Sequence, residues 1–168
     1  MKGKRFILYF LPALLVTLAI FYLSTRGIEA SNAQSGEVTE KVISLFGKIE
    51  VIDDTGTLSS MSFNGTGLDY INLYIRALAH VCEFGGLGLM IGLGSYLCQF
   101  TDKKRIKLTL CWGAVVALLD EILQYFVPGR TCSIMDIGKD LVGILLSILA
   151  IYLLKTIWNA CHQYKKLA

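Results

Sequence analysis

Three clusters of ionisable side chains recur at helical spacing inside the apolar parts of this chain. Arg76, His80 and Glu83 fall at i, i+4 and i+7, so they share one helix face. Asp120 and Gln124 form an i, i+4 pair with Glu121 one step round, and Asp136, Asp140, Gly143 and Ser147 line a face further on. An imidazole grouped with several carboxylates can move protons, hold a cation, or form a mutually satisfied polar cluster. His80 and Glu83 have the i, i+3 spacing of carboxylate–histidine ligands in helical bundles, in reverse order. Oxygen-rich ligation favours Mg2+ or Ca2+, and His80 admits Zn2+ or Mn2+. The candidate catalytic or cation-holding set is therefore His80, Glu83, Asp120, Glu121 and Asp140. The plainer reading of His80 is a buried histidine bonded to a neighbouring acid.

Arg76, Gln124, Arg130 and Asp136 are the candidate substrate-binding residues. The planar fork of an arginine suits a phosphate or carboxylate, and equally a lipid headgroup at the membrane interface. Arg130 follows the turn signal Pro128-Gly129. Ser133-x-x-Asp136 has the form of a capping box that starts a helix. Nucleophilic catalysis has little support. The second histidine, His162, lies at the far end of the last apolar run, and Cys132 and Ser133 have no evident base beside them.

The elements that must position these groups read as membrane spans. The chain has 168 residues, 54% of them hydrophobic and 17% charged, and its mean hydropathy is +0.58. That is too apolar for an ordinary soluble domain. Four apolar runs, at about 6–23, 77–100, 108–127 and 134–158, approach or exceed the ~20 residues a helix needs to cross the hydrocarbon core. The first run is longer than the ~7–15-residue core of a secretory signal, and the small-residue site Ser31-Asn32-Ala33 lies far downstream. An uncleaved span is the expectation. The five cysteines show no metal-ligand spacing, and no disulfide framework is expected.

Lys2, Lys4 and Arg5, then Lys103, Lys104, Arg105 and Lys107, then Lys165 and Lys166 fall on one side if the runs alternate. The positive-inside rule makes that side cytoplasmic, with both termini there. The acidic segment 24–75 is then outside. Within it, Val38, Val42, Leu45, Phe46 and Ile49 recur at helical spacing and predict a short amphipathic helix, a lid or an anchor on the outer leaflet. Residues 53–72 read as loop, with room for a short hairpin. The glycines of the second run, including Gly88 and Gly92 as a GxxxG pair, read as helix packing. The expected fold is all-α: a four-transmembrane-helix bundle with a short extracellular amphipathic helix, one membrane domain over 1–168.

Rise per residue places His80, Asp120 and Asp140 at one level, roughly 9–11 Å below the outer mouth. A charge in hydrocarbon costs at least ~2.5–3.5 kcal/mol on insertion scales. The acids outnumber their basic partners, which predicts a bound cation or a protonated carboxyl. The sequence leaves the cofactor open, a divalent cation being the candidate if the acids are balanced by an ion.

Arg76-x-x-x-His80-x-x-Glu83, Asp120-Glu121-x-x-Gln124-x-Phe126-x-Pro128-Gly129-Arg130 and Ser133-x-x-Asp136, followed by Asp140 and Gly143, resemble the VanZ family. Ile20-Phe21-Tyr22-Leu23-Ser24 is similar to it as well, and the likeness runs over nearly the whole chain. One departure is Ala77, where family members often carry a basic residue. The resemblance implies a bacterial plasma-membrane protein linked to reduced susceptibility to teicoplanin-type glycopeptides. It names a phenotype and not a reaction. Three readings follow. The first is a pocket that binds or acts on an anionic, lipid-linked cell-envelope molecule, as a metal-assisted or acid/base transferase or hydrolase if it is an enzyme. The second is a proton-coupled transporter or flippase, and the third a non-catalytic membrane partner whose polar cluster is structural. Membrane lipids or a lipid-linked cell-wall precursor are the expected partners, and no nucleic acid is.

Overall fold

Glycine-rich and apolar segments stay helical where lipid offers the backbone no other hydrogen-bond partner. That rule accounts for the long helices of this chain, which is described here by a computed structural model covering residues 2–46, 50–52, 58–60, 65–130 and 132–167. The elements are α1 (Lys2–Ser24), α2 (Ile28–Phe46), β1 (Glu50–Ile52), β2 (Leu58–Ser60), α3 (Gly65–Leu97), α4 (Asp102–Tyr125) and α5 (Ile134–Leu167). β1 and β2 form a two-stranded antiparallel pair, Val51 opposite Ser59. The helical expectation holds, with this short pair added.

Among the described residues, three stretches are long and apolar enough to cross a membrane: Phe6–Ser24, Leu73–Leu97 and Ile134–His162. They fit a membrane protein. Large apolar side chains stand exposed along them, among them Leu14, Leu18, Leu93, Leu145, Leu149 and Leu153, as expected where the solvent is lipid.

Several boundaries differ from the sequence reading. α3 begins at Gly65, so residues 65–72, expected to be loop, are helical. It ends at Leu97 and not at Phe100. Gln99 adopts a left-handed φ of 58°, and the Phe100 N–H bonds back to the Ser95 carbonyl, the αL ending that many helices use. Lys103, Lys104, Arg105 and Lys107 lie in the first turns of α4 and not in a connecting turn. Thr101 caps that helix, its side chain accepting from the Lys104 N–H. Arg105 is buried there, donating to Asp102 at 3.0 Å and to the Phe100 carbonyl at 3.1 Å. Lys155 of α5 donates to the other Asp102 oxygen at 2.6 Å.

The amphipathic helix is longer than expected and sits differently. α2 starts ten residues earlier than the predicted stretch, at Ile28; Lys48, Ile49, Asp53 and Asp54 lie outside the described residues. Its inward stripe is hydroxylic, with Ser35 and Thr39 buried, while Val38 and Leu45 are exposed. Among the described helices, α2 packs against α3 alone.

α3 and α5 form the most extensive helix pair. A Cβ on Gly143 would collide with the Val81 carbonyl, the Gly85 nitrogen and Phe84; one on Gly88 would collide with Ser147. Small residues on both helices let the backbones meet closely. Below that crossing Phe84, Leu87, Ile91, Val116, Ala117 and Ile144 form a fully buried apolar core.

Candidate functional site

The close α3–α5 crossing decides where the first polar pair meets. Gly143 abuts the turn of α3 that carries Val81. One turn before Gly143 on α5 is Asp140, and just before Val81 on α3 is His80. His80 Nδ1 and Asp140 Oδ1 lie 2.9 Å apart, with Asp140 wholly buried. An ionised Asp140 makes Nδ1–H the donor and leaves the lone pair on Nε2. The second Asp140 oxygen, Oδ2, is buried with no hydrogen-bond partner.

Asp120 reaches the same place from α4. It is 2% exposed, and one ligand atom from each of His80, Asp120 and Asp140 lies within 4.8 Å of the others. Asp120 Oδ2 accepts from Gln124 Nε2 at 2.7 Å, and Oδ1 is bonded to the Ser24 hydroxyl. Ser24 Oγ also lies 2.8 Å from the Ile20 carbonyl. A hydroxyl has one proton to donate, so Ser24 faces two acceptors with a single hydrogen.

Above the cluster is an open cavity of about 160 Å3. His80, Glu83 and Asp120 line it, and so do Arg26, Arg76 and Arg130. Ser31, Ser35 and Val38 of α2 close one side. Arg130 is aimed by a tight turn: its N–H bonds to the Val127 carbonyl at 3.1 Å, and Gly129 takes φ 82°. That geometry suits Pro128 and Gly129 at the two central positions of a turn. The guanidinium then donates to the Ser24 carbonyl at 3.2 Å and to Ser31 Oγ at 3.0 Å, joining the end of α1 to α2. Its Nε is buried without a partner. Burial first, and the neighbouring Arg76 charge second, pull the Arg130 guanidinium below its ordinary value.

Two acids expected in the pocket point elsewhere. Glu121 is 1% exposed but does not line the cavity. Its Oε2 accepts the Ser133 backbone N–H at 2.6 Å. In a capping box that N–H would go to Asp136. Asp136 is bonded to Lys139 instead, and Glu121 takes its place from the preceding helix. A carboxylate at a helix N-terminus is favoured by the exposed N–H groups and the helix dipole. Glu121 also borders Cys132, whose thiol is pushed up, by desolvation first and then by the Glu121 charge. A raised pKa makes that thiol a poor nucleophile.

The sequence reading missed Ser24 as a site residue, and with it Arg26, Ser31 and Ser35. Ser24 was visible as a hydroxyl at the end of the first apolar run. The α2 serines carried no signal, because Ser31 and Ser35 precede the stretch in which helical spacing was read.

A family model described as VanZ/LLP1 matches residues 6–155. No curated protein and no solved structure matches the chain.

Proposed function

The chain belongs to the VanZ/LLP1 family, and on that premise we propose that it is a four-span membrane protein whose outward pocket engages the anionic group of a lipid-linked cell-envelope molecule, reducing susceptibility to teicoplanin-type glycopeptides. The observation that carries this reading is the mixed lining of the cavity. Arg26, Arg76 and Arg130 share it with His80, Glu83 and Asp120. Two guanidiniums that repel each other, one with a buried unpaired N–H, favour an anion between them. The imidazole and carboxylates are placed for acid/base or metal-assisted work on what that anion anchors.

The fourth span is α4. Its exposed face, Val115, Leu118, Leu119 and Ile122, is apolar. Beyond its basic first turns, the charged and amide residues Asp120, Glu121 and Gln124 are buried, so the exposed side of that stretch stays apolar. With four spans, the basic clusters share the cytoplasmic side of a bacterial plasma membrane, with both termini there, and α2 and the cavity lie outside. Residues 1–168 then form one membrane domain.

Among the described residues, the buried side chains between Asp140 and Arg105 at the basic end are apolar or hydroxylic, Ser95, Thr109 and Ser147 among them, which supports a pocket over a transport path. The internal pairing of Asp120 with Ser24 and Gln124, and of His80 with Asp140, favours a second reading in which the cluster only locks the bundle.

The test is expression of wild type, Asp120→Asn and Arg130→Ala in a glycopeptide-sensitive bacterium. We expect wild type to raise the teicoplanin inhibitory concentration, and both variants to lose that effect at unchanged membrane abundance. Full function in both variants would overturn the pocket reading. Disappearance of the Asp120→Asn protein would favour the structural one.

A further inference from the structure

We infer that His80, Asp120 and Asp140 form a binding site for one divalent cation of the Mn2+ or Zn2+ type. The inference rests on the pocket reading for its purpose and adds a cofactor to it. Three observations carry it. The three side chains come from three helices, yet one ligand atom of each falls within 4.8 Å of the others. Asp140 is wholly buried, and its Oδ2 has no hydrogen-bond partner. A buried carboxylate oxygen without a donor is costly unless something positive completes it. His80 is bonded to Asp140, and Arg130, whose charge acts on Asp120, spends its hydrogen bonds on the Ser24 carbonyl and Ser31. Two carboxylates and one imidazole then share a low-dielectric site, where a divalent ion would balance the two acids.

The donor set narrows the ion. One nitrogen and two carboxylates suit Mn2+ or Zn2+ better than Ca2+, which takes six to eight oxygens. His80 and Asp120 both line the cavity, so the remaining coordination positions open on the side where an anion would enter. Three protein ligands with an open position are the arrangement of catalytic metal sites, not structural ones. Glu121 stays outside the set because its carboxylate holds the start of α5.

The experiment uses the full chain in detergent micelles, stripped with a chelator and titrated with Mn2+, reading free Mn2+ by electron paramagnetic resonance. One ion per chain is expected, displaced by Zn2+. His80→Gln and Asp140→Asn should bind more than ~10-fold more weakly, with helicity checked by circular dichroism, while Asp102→Asn at the opposite end binds like wild type. Wild type that takes up no Mn2+ above a micelle blank overturns the site, as does undiminished binding by either folded variant; a site filled only by protons gives the first of these results. Stoichiometric Mn2+ uptake with a fully functional Arg130→Ala would sink the anion pocket and leave the cation site. No uptake with an inactive Arg130→Ala would do the reverse.

Discussion

Replacing Glu121 separates a residue that does chemistry from one that holds the site in shape. Its carboxylate lies 2.6 Å from the Ser133 N–H at the start of α5, and Asp140 sits two turns further along the same helix. In Glu121→Gln the amide oxygen can still accept that N–H, so the loss is the difference between a charge-assisted and a neutral hydrogen bond, about 1 kcal/mol. In Glu121→Ala the whole charge-assisted bond goes, about 2 kcal/mol, and one buried methylene with it, at ~0.8 kcal/mol. Ser133 is only half-buried, so water can reach its freed N–H and the penalty for that group stays low. The sum is about 3 kcal/mol, three times the cost of the glutamine. The assay pairs reversible unfolding in mixed micelles with the teicoplanin inhibitory concentration in cells. We expect Glu121→Gln to keep most of its effect with a small stability loss, and Glu121→Ala to lose both. A Glu121→Gln protein that is as stable and abundant as wild type yet inactive would refute the reasoning, because the acid itself would then be needed in the reaction.

Gly143→Ala should push α3 and α5 apart, since its Cβ meets backbone atoms of Val81 and Gly85 that cannot rotate away. Overpacking of this kind costs ~1–3 kcal/mol, and the separation of His80 from Asp140 should weaken Mn2+ uptake even in the folded fraction. At the opposite end, hydrogen bonding to Lys155 holds the Asp102 carboxyl below its ordinary value of 3.8. A lowered carboxyl stabilises the fold above its unfolded pKa, and that contribution fades as pH falls through the folded one. The stability difference between wild type and Asp102→Asn should thus be flat above pH 5 and shrink below 3.8, as read from unfolding midpoints across the acid range.

The sequence by itself carried the class of the protein, its apolar helices and the family, because hydropathy and the 3.6-residue repeat are local properties. It also put His80, Asp120 and Asp140 at a common level, since depth along a helix is only residue number times rise. Level is not contact. Which carboxylate of the adjacent pair Asp120 and Glu121 turns to the cavity depends on how α4 is rotated about its axis, and neighbouring residues differ by about 100° around a helix. That rotation follows from packing, where Gly113 receives Ile144 and Glu121 reaches the start of α5. The same holds for α2. Its spacing revealed a helix with an apolar side, but not that the hydroxyls of Ser35 and Thr39 would face the bundle. Only the tertiary structure decided that Arg130 ties α1 to α2, that Ser24 joins Asp120, and that one buried Asp140 oxygen has no hydrogen-bond partner. Each of these is set by the approach of separate helices, which side-chain order along one helix does not encode.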